Sequence, residues 1–473
     1  MEKLESYIFS IVCSTFFLVS CFLFSKITRE QRDPYMDEIF HIPQAQKYCE
    51  GRFGEWDSMI TTLPGLYLVS VGIIKPTVWL AGWTGKAVCS PGMLRFINLL
   101  FSCGNLYLVY LILYKLHQKD KSVTASKRIL SALALSTFPV LYFFTFLYYT
   151  ESGSTFFSLF AYLMCLYESH KISALLGFCA VMFRQTNIIW VIFCAGHVVA
   201  QKMTETWKTT VTKKKENKIA SSTDISITTI RNFLRFFMEY TLSTKNVIIL
   251  LSITWPYLLL VMSFIAFIII NRGIVVGDKS NHEACLHFPQ LFYFFSFTLV
   301  FSFFHSFSFR KVSNFLSSLR KKPIFYLSVL TLFLFLVWKF TYMHKYLLGD
   351  NRHYTFYVWK NIFQKHEVVR YALVPGYVFA VWSFADSLKS KPLLWNLMFF
   401  LCLVIATVPQ KLLEFRYFIL PYLIYRLNAS VPSVFRLLLE LCLYTFVNAL
   451  TFYIFLKKTF VWPNSEEVQR IMW

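Results

Sequence analysis

Charge is what this 473-residue chain has least of. Asp, Glu, Lys and Arg make up 15% of it, against roughly 25% in soluble globular proteins. Hydrophobic residues make up 56%, and the mean hydropathy is +0.51. A soluble core has no use for that much apolar sequence. Acids are scarcest, with 25 Asp and Glu against 47 Lys and Arg and a net charge of +22. The bases lie between apolar runs and do not form one face or tail, so they argue for anionic headgroups and against nucleic acid as partner. The sequence has no D-x-D, no P-loop and no HExxH, which removes support for metal-held nucleotide sugars, NTP hydrolysis and zinc proteolysis. Its 11 cysteines include no C-x-x-C and no metal-like Cys/His spacing. Most sit in apolar stretches as small hydrophobes; Cys49, Cys89 and Cys285 fall outside them and leave room for one disulfide. No small-residue cleavage site follows the first apolar run, which exceeds a signal h-region of roughly 7–15 residues, so it reads as a retained helix.

What is present is a series of apolar runs at 7–24, 93–114, 129–148, 247–270, 324–337, 394–408 and 437–456. They approach the roughly 20 residues that a spanning helix needs. The expectation is an all-α polytopic membrane protein forming one membrane domain over 1–473. Basic connectors at 115–128, 202–245, 310–322 and 389–391 belong in the cytosol by the positive-inside rule. The 202–245 loop, with its KKKENK run, reads as long and mobile. That orientation puts 26–91, 149–153, 184–187, 271–288, 341–370 and 410–416 outside. Pro64, Gly65, Lys75 and Pro76 make 62–82 an interfacial helix and not a span. The parity then gives thirteen spans, with twelve or fourteen compatible, and an outside tail from Lys457. The one N-x-S/T sequon, Asn428-Ala429-Ser430, falls inside and is expected to be unmodified. No repeat or pair of broken helices marks a transporter.

Polar residues that could carry chemistry gather at the predicted outside boundaries. After the first run comes Asp33-Pro34-Tyr35-Met36-Asp37-Glu38-Ile39-Phe40-His41. Acids near membrane depth tend to mark function, and a carboxylate beside a sugar hydroxyl can act as general base. A solvated acidic turn opening a helix explains the same pair. Thr61–Tyr67 needs only its structural reading, as a helix start. Arg184 and Gln185 interrupt an apolar stretch, and Glu151 stands alone; each suits either a bound group or a headgroup-level turn. Arg352, His353 and Tyr354, and then Lys411 and Arg416, add cations and rings at two later boundaries. Guanidinium forks match phosphate oxygens, and rings serve sugars or interfacial belts. With so little sequence outside the membrane, a sugar donor is best carried on a lipid.

The strings YMDEIFHIPQAQKYCEG, WDSMITTLPGLYL, FRQTNIIW, HEACLHFPQLFYFFSF, DNRHYTFYVWK and PQKLLEFRYFILPY closely resemble the terminal α-1,2-glucosyltransferases of dolichol-linked oligosaccharide assembly, and the likeness runs nearly end to end. Some vertebrate members bear a potassium-channel-regulator name. The resemblance implies a GT-C type fold in the endoplasmic reticulum membrane, with its active site facing the lumen. It implies inverting transfer of glucose from dolichyl-phosphate-glucose to Glc2Man9GlcNAc2-PP-dolichol, without a cofactor or divalent metal. Asp37 is then the base and Glu38 positions the acceptor, or the two exchange roles. Arg416 leads the residues for the donor phosphate, with Lys411, Arg352 and His353 behind it. Related mannosyltransferases carry His-Lys-Glu-x-Arg-Phe; here Gln410 replaces the His and the spacing is longer. A channel-modulating subunit, a transporter and a dolichyl-phosphate-mannose-dependent mannosyltransferase are the rival readings.

Overall fold

The computed structural model describes residues 2–82, 88–215, 227–279, 284–463 and 466–473, most of them helical. The first part of the chain runs α1 (Glu2–Glu30), α2 (Glu38–Cys49), α3 (Gly65–Leu80), α4 (Pro91–Leu116), α5 (Ala125–Ser136), α6 (Pro139–Phe143), α7 (Glu151–Leu166), α8 (His170–Phe183) and α9 (Ile188–Lys215). Among the described residues, five helices are long and apolar enough to cross a membrane: α1, α4, Thr244–Asn271, Pro323–Phe340 and Val434–Lys457. Their surroundings differ. Only 17% of the most apolar stretch of α1 and 6% of that of Pro323–Phe340 are buried, against 61% for α4. The first two turn their apolar side chains outward to lipid, whereas α4 packs against α1, α5 and α7 at the centre. This is the architecture of a polytopic membrane protein.

The expected continuous span at 129–148 is broken. α5 and the segment Pro139–Phe146 meet at 57°, because Pro139 lacks an N–H and its ring cannot continue the turn before it. Asn448 donates to the freed Thr137 carbonyl at 2.7 Å, which is how a neighbouring helix makes such a break tolerable in lipid. After the break, Leu147 is extended. Asn98, buried in α4, donates to the carbonyls of Leu147 and Tyr149 at 2.6 and 2.7 Å. One side chain thus fixes the irregular strand that faces the start of α2.

Further features of the connectors and the tail are local. The 202–245 connector is helical where described: α9 runs on to Lys215, and a separate helix covers Ile227–Leu242. The end of the KKKENK run lies outside the described residues. Cys49 and Cys89 form a disulfide that ties the end of α2 to the approach of α4, while Cys285 is free. The tail is not helical; Phe460–Val461 pairs antiparallel with Val468–Gln469. Asn428 is buried, donating to the Ile424 carbonyl and accepting from Tyr162 and Lys391, so its amide has no room for a glycan.

Close approach of backbones sets the ends of α7 and α8. A Cβ on Gly153 would collide with the Phe183 ring, and one on Gly65 would lie 2.6 Å from the Met182 backbone. These glycines let the starts of α7 and α3 converge on the end of α8, where Arg184 begins. The three termini surround one cavity.

Candidate active site

Met36 introduces the site with a φ of 56°, a left-handed conformation that costs a residue with a Cβ about 1–3 kcal/mol. The turn persists because both sides of it are held. Arg95, fully buried in α4, donates to Glu38 Oε1 at 2.8 Å and Oε2 at 2.7 Å, and also to the Gln31 and Asp33 carbonyls. Glu38 accepts in addition from the N–H groups of Tyr148 at 2.6 Å and Tyr35 at 3.1 Å. Those four bonds use all the acceptor sites of a carboxylate. Glu38 therefore faces inward with its acceptor sites engaged within the protein, and it anchors the turn. Its neighbour points the other way. The Asp37 side chain is 39% exposed and enters a cavity of about 350 Å³.

Asp37, His41, Thr61, Thr62, Tyr149, Glu151, Arg184, Arg416 and Tyr417 line that cavity. Arg416 Nη1 lies 2.8 Å from Asp37 Oδ2 and 3.8 Å from Glu151 Oε1, and its Nε donates to Glu414. Arg184 pairs with Glu151 and lies over the Tyr417 ring at 5.4 Å. Residues 379 positions apart in sequence thus meet as one ion pair. The loop that carries Arg416 is secured upstream. His287 and Cys285 donate backbone N–H groups to Val408 and Pro409, and the Gln290 amide donates to the Gln410 and Leu412 carbonyls.

Electrostatics keep the pair ionised. Burial pushes the Asp37 carboxyl up, but the Arg416 guanidinium, with His41 and His353, holds it below the usual carboxylate range. Glu414 is lowered by the same balance of burial against Arg416. Burial depresses His41 against the pull of Asp37 and Glu151, and its Nδ1 lies 2.5 Å from the Tyr67 hydroxyl. The cavity therefore presents an ionised carboxylate with a partly open face and two fixed guanidinium groups. Such a site can take a proton from a hydroxyl and stabilise an anion.

Of the residues marked from sequence, Asp37, Glu151, Arg184 and Arg416 share this cavity. Gln185 stands behind it, donating to the Thr61 carbonyl at 2.8 Å. His353 lies 3.0 Å from the Trp473 main-chain oxygen. Three other marked side chains are engaged away from the cavity wall. Lys411 sits over Tyr342 at 5.7 Å. Arg352 pairs with Asp350 at 2.7 Å and faces a separate cleft with Arg29, Arg32 and Arg470. Tyr354 packs its ring on Trp473. Sequence reasoning missed His41, Tyr149, Glu414 and Tyr417. His41 had a signal, since it lies four residues after Asp37 and thus on the same helical face; Tyr149 had none.

A recessed ionic cavity among the helix ends of a polytopic membrane protein defines the class. Within that class the chain belongs to the DIE2/ALG10 family, which it matches over residues 31–427. It is 62% identical to a mouse protein and 61% to a human one, over 475 aligned residues that cover 100% of each chain. Both are named Dol-P-Glc:Glc(2)Man(9)GlcNAc(2)-PP-Dol alpha-1,2-glucosyltransferase. A Drosophila protein of the same name is 34% identical, with 97% of each chain covered. No solved structure matches the chain.

Proposed function

We propose that this chain transfers glucose from dolichyl-phosphate-glucose to the terminal glucose of Glc2Man9GlcNAc2-PP-dolichol in α-1,2 linkage. The observation that carries the reading is the Asp37–Arg416 pair in the cavity, in a chain that aligns end to end with relatives bearing that name. Asp37 accepts the proton of the acceptor 2-hydroxyl as its oxygen attacks the anomeric carbon. The glycosidic C–O bond breaks on the opposite side, and the electron pair leaves on the dolichyl phosphate. One displacement inverts the centre. Arg416 has two tasks: it keeps Asp37 ionised and, with Arg184, offers positive charge to the leaving phosphate. A GT-C arrangement of about thirteen spans in the endoplasmic reticulum, with this cavity on the lumenal side, suits a donor and an acceptor that both reside in the bilayer.

The test uses microsomes from cells lacking their own enzyme, supplied with dolichyl-phosphate-glucose. Expression of this chain converts the lipid-linked oligosaccharide from two glucoses to three. Properly folded protein that leaves the two-glucose species unchanged contradicts the reading.

A further inference from the structure

The last residues of the chain reach both halves of the ion pair. Arg470 is buried, with Nε on the Gln31 amide oxygen at 2.7 Å and its other nitrogens on the carbonyls of Glu30, Phe455 and Leu456. It fastens the end of α1 to the end of Val434–Lys457. Its main chain closes on Tyr35: the Arg470 N–H donates to the Tyr35 hydroxyl at 2.7 Å, and that hydroxyl donates to the Arg470 carbonyl at 2.6 Å. Tyr35 stands two residues before Asp37. Met472 donates to the Arg352 carbonyl at 2.7 Å and accepts from the Tyr354 N–H at 3.1 Å. The Trp473 ring packs against Phe415 at 5.9 Å, next to Arg416, and against Tyr354 at 4.9 Å.

The need for such a brace follows from where the pair sits. Asp37 follows the left-handed Met36, and Arg416 lies in a short 3-10 turn; neither is held within a long helix. A misplacement of about 1 Å from a change outside the chemistry can cost 100-fold in rate. We propose that residues 470–473 are a positioning strap that sets the distance between the Asp37 carboxylate and the Arg416 guanidinium, Tyr35 being its hold on the first and Trp473 its hold on the second. This rests on Asp37 being the base.

The two holds have separable consequences, measured on full-length protein purified in detergent with dolichyl-phosphate-glucose and the two-glucose acceptor. Tyr35→Phe keeps the ring and loses both hydrogen bonds to Arg470. It lowers kcat about tenfold, leaves the donor KM within twofold, and moves the acid limb of the kcat profile upward as Asp37 drifts from Arg416. Trp473→Ala raises the donor KM at least threefold, and Trp473→Phe restores it. A purely structural tail would not split kcat from KM or move the pH limb, and both variants are checked for a wild-type unfolding temperature. Tyr35→Phe with kcat and pH profile like wild type overturns the strap. Full turnover by Asp37→Asn overturns the base itself, so the two failures are distinguishable.

Discussion

Asp37 and Glu38 are adjacent carboxylates held in opposite surroundings by the first turn of α2. Glu38 faces α4 and is saturated by Arg95 and two backbone N–H groups; Asp37 faces the cavity and Arg416. Removing one partner of a buried pair strands the other charge, at about 3–5 kcal/mol. Glu38→Gln therefore lowers thermal stability in detergent strongly, and Glu38→Gln with Arg95→Met costs less than the sum of the single changes. Unfolding temperatures of the three variants measure this directly. Arg416→Gln acts on the chemistry instead. Without the guanidinium, burial raises the Asp37 carboxyl with its strongest opposing charge gone. A lowered carboxyl supplies base throughout the range above its own pKa and loses it only as pH falls through that value. In Arg416→Gln the acid limb of kcat accordingly shifts to higher pH; an unmoved limb would show that Arg416 does not govern Asp37.

Short irregular segments between helices do most of the positioning. Asn98 holds two carbonyls of the strand after the α6 break, and buried carbonyls left without donors cost about 1–3 kcal/mol each. Asn98→Leu is expected to destabilise the protein and to free Tyr149 from its place 3.1 Å from the Asp37 N–H, so activity falls further than stability alone explains. The disulfide is a second device. Cys49 and Cys89 are 40 residues apart, and closing a loop of that length restricts the unfolded chain by about 4 kcal/mol. Cys49→Ser should lower the unfolding temperature, and reductant should have the same effect on the wild type and none on the variant. Equal melting of all samples would mean that the crosslink contributes nothing.

Across the whole molecule, the helices were legible in the sequence wherever an apolar run was long, because a lipid-facing span has no other reading. Their interruptions were less so. The 129–148 run looks continuous in hydropathy, and the break at Pro139 draws on a tertiary donor, Asn448, that no local pattern reveals. Arg184, Glu151 and Arg416 stood out as costly charges in an apolar chain, and the cavity brings them together. That same cost rule cannot separate Asp37 from Glu38, whose difference is a matter of which face of one turn meets Arg95. Buried pairs within helices escaped it too: Arg426 meets Glu440 at 2.8 Å, and Glu440 lies inside the run 437–456 that reads as plainly apolar. Contacts of the tail with Tyr35 and Phe415 have no local signature at all, since they join residues far apart in the chain.

The central claim is that Asp37 takes the acceptor proton. The most direct measurement is single-turnover glucose transfer by purified wild type, Asp37→Asn and Asp37→Glu, with donor binding measured in parallel. Loss of a general base costs about 100- to 10,000-fold. The account predicts a loss of that size for Asp37→Asn, partial recovery in Asp37→Glu, and donor binding close to wild type in both. Transfer by Asp37→Asn within threefold of the wild type would contradict it, and the base would have to be sought among the other carboxylates of the cavity.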